Sequence, residues 1–302
     1  MTNIWLHRFS VLLAICTLLL VAAGASVTSK EAGLSVPDWP LSYGKVMPPM
    51  QGGVLFEHGH RMIATTVGFL TVVFAIWVWR VDKRAWMRWL SLIAVAAVIL
   101  QGVLGGLTVL FLLPKFVSIG HACLAQLFFS TTVAMAVFTS RSWLESPTKF
   151  VEDSGWPSLR SLVFSVPILI LVQLALGAAF RHKATGVIPH IVGAMVVTAV
   201  ILIVSIFVLT QAAAHASLRQ SALALLFIVF VQVFLGIAAY MARLAIANVL
   251  ETPLPMVLFT VAHVAVGALT LAASVVLAIH VSRSVRRGTM MNVRTHGATA
   301  AS

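Results

Sequence analysis

Glu57, His60 and Arg61 stand at i, i+3 and i+4 at the head of an apolar run long enough to cross a bilayer. On a helix all three side chains share one side. A carboxylate, an imidazole and a guanidinium so grouped can ligate an ion, exchange a proton and hold an anion. Three further histidines sit in comparable runs, His121, His190 and His263, and each of the four is followed four residues later by a small residue: Ala64, Ala125, Ala194 and Gly267. One histidine in an apolar helix reads most simply as a helix–helix hydrogen-bonding residue. Four at one depth, in the first turns of their helices, point to ligation, because ionisable residues inside a membrane are rare and mark function. The small residue lies one turn deeper on the same face and leaves room for a flat macrocycle. Paired imidazoles from facing helices are a common way to hold haem. His60 with His121, and His190 with His263, would make one haem site in each half. Zinc or copper would draw histidines together with Cys, Asp or Glu at short spacing; Cys123, two residues from His121, faces elsewhere on a helix.

The elements that must position these residues are transmembrane helices. The chain has 302 residues, 60% hydrophobic and 9% charged, with a mean hydropathy of +1.03, against roughly 25% charged residues in soluble domains. Eight apolar segments are expected, over about 9–27, 60–80, 90–112, 118–139, 161–180, 188–210, 220–241 and 257–281. The odd-numbered ones carry Gln-x-x-x-Gly near their outer ends, Gln101–Gly105, Gln173–Gly177 and Gln232–Gly236, with Leu20–Gly24 at the matching place in the first. This repeat predicts an all-α membrane protein of two pseudo-symmetric four-helix bundles, 1–150 and 151–302. With the N-terminus inside, the inner loops take Arg8, Arg80, Lys83, Arg84, Arg88, Arg141, Lys149, Arg160, Arg219, Arg283, Arg286, Arg287 and Arg294; the outer side takes Lys30, Lys45, Arg61, Lys115, Arg181, Lys183 and Arg243. The excess predicts that both termini are cytoplasmic. The net charge of +12 sits at helix ends rather than on one soluble face, so nucleic acid is not the expected partner. A cleaved signal peptide over the first segment is the alternative reading of that segment, but it would remove a member of the repeat. Cys16 and Cys123 lie in apolar segments and read as small buried hydrophobes, unable to form a loop disulfide.

The halves differ above their histidines. The positions matching Glu57 and Arg61 are Val187 and Ile191 in the second half, and the residues three before His121 and His263 are Ser118 and Thr260. From Gly24 to His60 is 36 positions, from Gly177 to His190 only 13. The extra chain is a Pro- and Gly-rich outer loop over 28–56 containing Asp38, Trp39 and Pro40, a candidate lid. The first half therefore reads as catalytic, with Glu57 able to hold or deprotonate a water beside a haem substituent, and the second as a plain cofactor site. The blander alternative is a Glu57–Arg61 ion pair closing the helix N-terminus. His58, about 200° round the helix from His60, reads as an outward neighbour. His7, His182, His215, His280 and His296 read as solvated.

These residues resemble the heme A synthase family over nearly the whole chain. The likeness rests on eight helices in two bundles, Glu57-His-Gly-His60-Arg61 as the Glu-x-x-His-Arg motif, Asp38-Trp39-Pro40 in the first loop and the three further histidines. The resemblance implies oxidation of the C8 methyl of heme O to a formyl group with water as the oxygen source. It implies His60 and His121 facing the substrate iron, Glu57 and Arg61 acting near the methyl, and His190 and His263 ligating a heme B cofactor. Heme O synthase, terminal oxidase assembly and a membrane electron acceptor are the implied partners, and a homo-oligomer is compatible with it. Many members carry a cysteine pair in the first outer loop; this loop has none. A di-haem b-type electron carrier and a haem-binding or transport protein are the competing readings. The first explains paired histidines but not Glu57, Arg61 or the loop. No Arg- and Ser-rich transit segment precedes the first helix, so a bacterial cytoplasmic membrane is expected.

Overall fold

Asn3 opens the first helix: its side chain accepts the backbone N–H groups of Trp5 and Leu6, two of the donors that a helix start leaves without a partner. From there the computed structural model, which describes residues 3–147, 150–153, 157–212, 214–245 and 253–287, is almost entirely helical. Lys149, Arg294 and His296 lie outside the described residues. The helices are α1 (Ile4–Ser29), α2 (Gly53–Val81), α3 (Ala85–Leu110), α4 (Lys115–Thr139), the short α5 (Arg141–Glu145), α6 (Leu159–Arg181), α7 (Ile188–Gln211), α8 (Ala216–Ala245) and α9 (Leu254–Ser284). All but α5 are long and apolar enough to cross a membrane, eight spans among the described residues. Two short strands, β1 (Val151–Asp153) and β2 (Val285–Arg287), pair in parallel with Val151 opposite Val285. Periodicity gave no sign of them.

Most of the helices outrun the apolar segments expected from hydropathy, because a helix continues into the interfacial zone where polar residues are tolerated. The largest extension is at α2, which begins seven residues before the expected start at His60 and so takes Glu57 and His58 into regular helix. The loop between α1 and α2 shrinks accordingly to 30–52. The ligand candidates are also not all in first turns: His190 is, whereas His60 and His121 lie in the second turn and His263 in the third.

Within the first half α1 packs on α2 and α4, and α3 on α2 and α4. Within the second α6 packs on α7 and α9, and α8 on α7 and α9. Each group of four is thus a closed ring of neighbours with its own interior. Leu13, Val67, Phe74, Met87, Phe128 and Met135 fill the first, and Val163, Ile201, Val204, Leu218, Leu225 and Leu277 the second. The groups meet where α9 lies on α1 and α4, and α4 on α6. The filling there is small: Val21, Phe129, Ala268 and Ala272 form a separate cluster. With lipid tails as apolar as any side chain, helix association depends on close van der Waals packing, which small residues permit.

Ala268 has no exposed surface. Ala268→Leu is expected to overpack the junction and to cost about 1–3 kcal/mol, read as a lower thermal unfolding midpoint in detergent; a midpoint equal to that of the parent would show that the two groups do not depend on this seam.

Candidate functional site

All four histidines are seated in the same way. Each ring lies edge-on against a glycine of the preceding spanning helix, so close that a methyl group placed on that glycine would meet the imidazole Cε1. The separation would be 3.1 Å for Gly24 and His60, 3.5 Å for Gly105 and His121, and 2.9 Å for both Gly177 with His190 and Gly236 with His263. The glycines of the repeat are therefore cradles for the rings. The glutamines four before Gly105, Gly177 and Gly236 also touch the histidines. The carbonyl of Gln232 is 3.2 Å from Nδ1 of His263, the side-chain amide nitrogen of Gln173 is 2.9 Å from Nδ1 of His190, and Nδ1 of His60 and of His121 is buried with no hydrogen-bond partner among the described residues. Gln101 and Gln173 use their side-chain amides to donate to the main-chain carbonyls of His121 and His190, at 3.1 and 2.8 Å. At His263 the carbonyl can take the Nδ1 proton, which leaves the Nε2 lone pair free for a metal. Gly267 meets the Gln232 amide and Leu174, so its smallness admits a neighbour's side chain and not only a ligand.

The second-half rings are paired. The centroids of His190 and His263 are 6.2 Å apart with planes at 89°. With metal–nitrogen bonds of about 2 Å, two imidazoles on opposite sides of one ion place their centroids roughly 6 Å apart. The residues present fit a planar metal macrocycle, which His190 and His263 would hold between their rings. His60 and His121 are near enough to interact electrostatically, and His121 also feels His182 at the end of α6.

Over the first pair lies the loop, and Glu57 and Arg61 hold it. Arg61 Nη2 donates to Glu57 Oε1 at 2.7 Å, and the backbone N–H of Val36 donates to Glu57 Oε2 at 2.8 Å. Arg61 further donates to the carbonyls of Asp38 at 2.8 Å, Leu41 at 3.0 Å and Val36 at 3.3 Å, and to Ser42 Oγ at 3.4 Å. Glu57 is 4% exposed. One of its oxygens is thus engaged with Arg61 and the other with the loop, and the ion pair does more than close a helix end. Val36 is fully buried. Trp39 lies flat on Gly106, whose missing Cβ would sit 2.7 Å from its ring, beside the Gly105 that cradles His121. Asp38 shapes the turn: its carboxylate accepts from Tyr43 N and Gly44 N at 2.6 and 2.8 Å. These two backbone N–H groups, Gly44 foremost, hold its pKa below the ordinary carboxylate value. Gly44 has φ +68, a conformation that side chains disfavour.

His58 is corrected by the structure. It is not an outward neighbour but is 6% exposed, because the loop closes over its side of α2 as well, and Ser42 Oγ lies 2.8 Å from its Nδ1. Of the other histidines expected in solvent, His7, His182, His215 and His280 are half-buried. Thr139 faces His7 at 3.3 Å, Ser221 faces His280 at 2.9 Å and Ser217 faces His215 at 3.1 Å; burial and then Arg181 lower the pKa of His182. Cys16 and Cys123 are half-buried free thiols. Sequence reasoning missed Val36, Ser42 and Gly106. The doubled glycine Gly105-Gly106 was the available signal for the last.

Fold and site together define a multi-pass membrane protein with four histidines seated alike on glycines, two of them, His190 and His263, with their rings 6.2 Å apart. The model of the COX15-CtaA family, described as cytochrome oxidase assembly protein, matches residues 7–54 and 50–190, and the chain belongs to that family. It is 30% identical over 181 residues to a heme A synthase of Shouchella clausii, covering 59% of each chain. It is 30% identical over 170 residues to one of Symbiobacterium thermophilum, 55% of each, and 24% identical over 184 residues to one of Halalkalibacterium halodurans, 59% of this chain and 61% of that one. The matched region spans between a half and two thirds of these curated relatives.

Two outcomes follow from this geometry. Because the depressed pKa of Asp38 favours its charged form in the folded loop, the contribution of that carboxylate is complete above the ordinary carboxylate range and lost as pH falls through the depressed value. Protease nicking within 30–52 is therefore expected to rise on acidification in the wild type and to be high and flat with pH in Asp38→Ala; parallel profiles would remove Asp38 from the turn. Gly177→Val is expected to displace the His190 ring, losing bound haem while the eight-span fold persists in detergent; unchanged haem content would refute the cradle.

Proposed function

We propose that this chain is a heme A synthase, which oxidises the C8 methyl of heme O to a formyl group with water as the oxygen source. The observation that carries the reading is the asymmetry between two otherwise matching histidine cradles: only the first lies beneath a loop fastened by a buried acid and its arginine. Family membership and relatives named heme A synthase support it. The N-terminal helices are the substrate half, with His60 and His121 toward heme O, and the C-terminal helices the cofactor half, with His190 and His263 holding heme B. When bound, heme B supplies one-electron chemistry beside the substrate site.

The conversion of methyl and water to formyl releases four electrons and four protons, so the site needs a proton acceptor and a route to a membrane electron acceptor. Glu57 is the proton acceptor in this reading. Substrate entry lifts the loop, Val36 N–H leaves Glu57 Oε2, and a water takes its place. Arg61 keeps the carboxylate oriented and refastens the loop, which excludes bulk water while the methyl is oxidised. Trp39 closes the side next to His121. The excess of Arg and Lys on the inner loops supports a reading with both termini on the cytoplasmic side of a bacterial inner membrane. Heme O synthase upstream and a terminal oxidase downstream are the expected partners, and self-association is open to measurement.

The test is chromatography with mass detection on haems extracted from cells that co-express the chain with a heme O synthase. Heme A or its hydroxylated precursor is expected with wild type and not with Glu57→Ala, while Glu57→Ala still binds haem. Hemes B and O alone from wild type, with haem on the protein, would replace the enzyme by a haem carrier; full conversion by Glu57→Ala would remove the acid from the chemistry. His190→Ala and His263→Ala are expected to lower tightly bound heme B severalfold, and content equal to the parent would sink the cofactor assignment.

A further inference from the structure

Two arginines at the histidine end of the second half have no part in the account so far. Arg181 is the last residue of α6, four after Gly177, the cradle of His190. Arg243 is in the last turn of α8, seven after Gly236, the cradle of His263. Spacings of four and seven keep a residue on one helix face. At a 1.5 Å rise the arginines stand about 6 Å and about 10 Å nearer the helix ends than the glycines that seat the imidazoles. Both therefore sit above the histidine pair on the faces that present it.

They also converge. α6 and α8 are the diagonal members of their ring, yet the Arg243 guanidinium lies 5.1 Å over the ring of Phe180, the neighbour of Arg181, and the two arginines are close enough to repel one another. Glu31 is the acid that attracts Arg181. Arg181 Nη2 donates to the carbonyl of Thr28 at the end of α1; among the described residues this is the hydrogen bond found for the pair, which leaves most of their N–H donors unused. Like charges held together beside the His190–His263 pair attract an anion. In the first half the matching positions are Thr28, four after Gly24, and Leu112, seven after Gly105, neither of them charged. The cationic pair belongs to the second half alone.

We propose that Arg181 and Arg243 form a carboxylate clamp at the mouth of the His190–His263 site, taking the two propionate groups of the tetrapyrrole bound there. Guanidinium forks match carboxylates with paired charge-assisted hydrogen bonds, and here they would act where helix ends exclude part of the water. The clamp rests on the haem-binding reading of that site and adds a reason for the division between the halves. A resident cofactor is gripped by iron and by its acid groups. A substrate that must enter and leave is gripped by its iron and covered by a loop.

The experiment uses the full chain in vesicles, loaded with heme B or with heme B dimethyl ester, in which both carboxylates are blocked, and follows transfer of the haem to apomyoglobin. From wild type the ester is expected to leave about tenfold faster than the free acid, the scale of one lost charge-assisted contact. Arg243→Met, which spares the Arg181–Thr28 contact, is expected to release the free acid faster than wild type does and so to narrow the acid–ester difference, with Arg243→Lys between. Equal rates for acid and ester from wild type would overturn the clamp. An effect of Arg243→Met that is the same for acid and ester, and present in phosphatidylglycerol but not phosphatidylcholine vesicles, would assign the arginines to lipid phosphate and overturn it too. If His190→Ala retains heme B as the parent does, the haem reading of the site fails first and the clamp falls with it, a result distinguishable from the other two.

Discussion

The contact between an imidazole and a glycine one helix away organises this protein. A histidine ring inside a membrane needs a partner for the nitrogen that does not face a ligand, and it needs room. The repeat helices supply the room at all four rings, because the glycine lets the ring lie against the backbone, and they supply the partner in the second half, where Gln173 and Gln232 meet Nδ1 of His190 and His263. Lipid supplies no hydrogen bonds, so these donors and acceptors have to come from the next helix. Helix spacing, ring orientation and the depth of the four histidines all follow from the same contact.

On that shared base the two halves diverge at their outer ends. The first has a long loop tied down through Arg61 and Glu57. The second has a short connection and a pair of arginines. Similar glycine seats thus lie under different coverings in the two groups of helices. The small-residue seam of Ala268 and Ala272 against Val21 and Phe129 brings α9, which carries His263, against α1 and α4 of the other half.

Much of this was legible in the sequence because membranes impose simple rules. Hydropathy placed eight spans, and the recurrence of Gln-x-x-x-Gly and of four histidines placed the rings on alternate helices. Contacts made by loops were not legible. His58 was read by helical angle alone, and the angle was right, but a loop covers that side of α2, so it is buried rather than exposed. The start of α2 was misjudged because Glu57 and His58 are polar, and hydropathy does not report that a folded loop replaces water around them. Trp39 on Gly106 pairs residues far apart in sequence with no periodic signature, as does the ribbon of β1 and β2.

The loop also explains how a carboxylate can be 4% exposed at the top of an apolar helix. Removing a carboxylate from water costs several kcal/mol unless charge and hydrogen bonds replace its hydration. Here the replacements are the Arg61 guanidinium and the Val36 N–H, and the second exists only while the loop is folded. Arg61 in turn keeps three loop carbonyls as partners. Burial of Glu57 and closure of the loop are consequently one event, and neither is stable without the other. Opening the loop hydrates the acid, and closing it dries the acid. The cover and the buried acid are thereby linked by the same few hydrogen bonds, which reach from Val36 to Ser42.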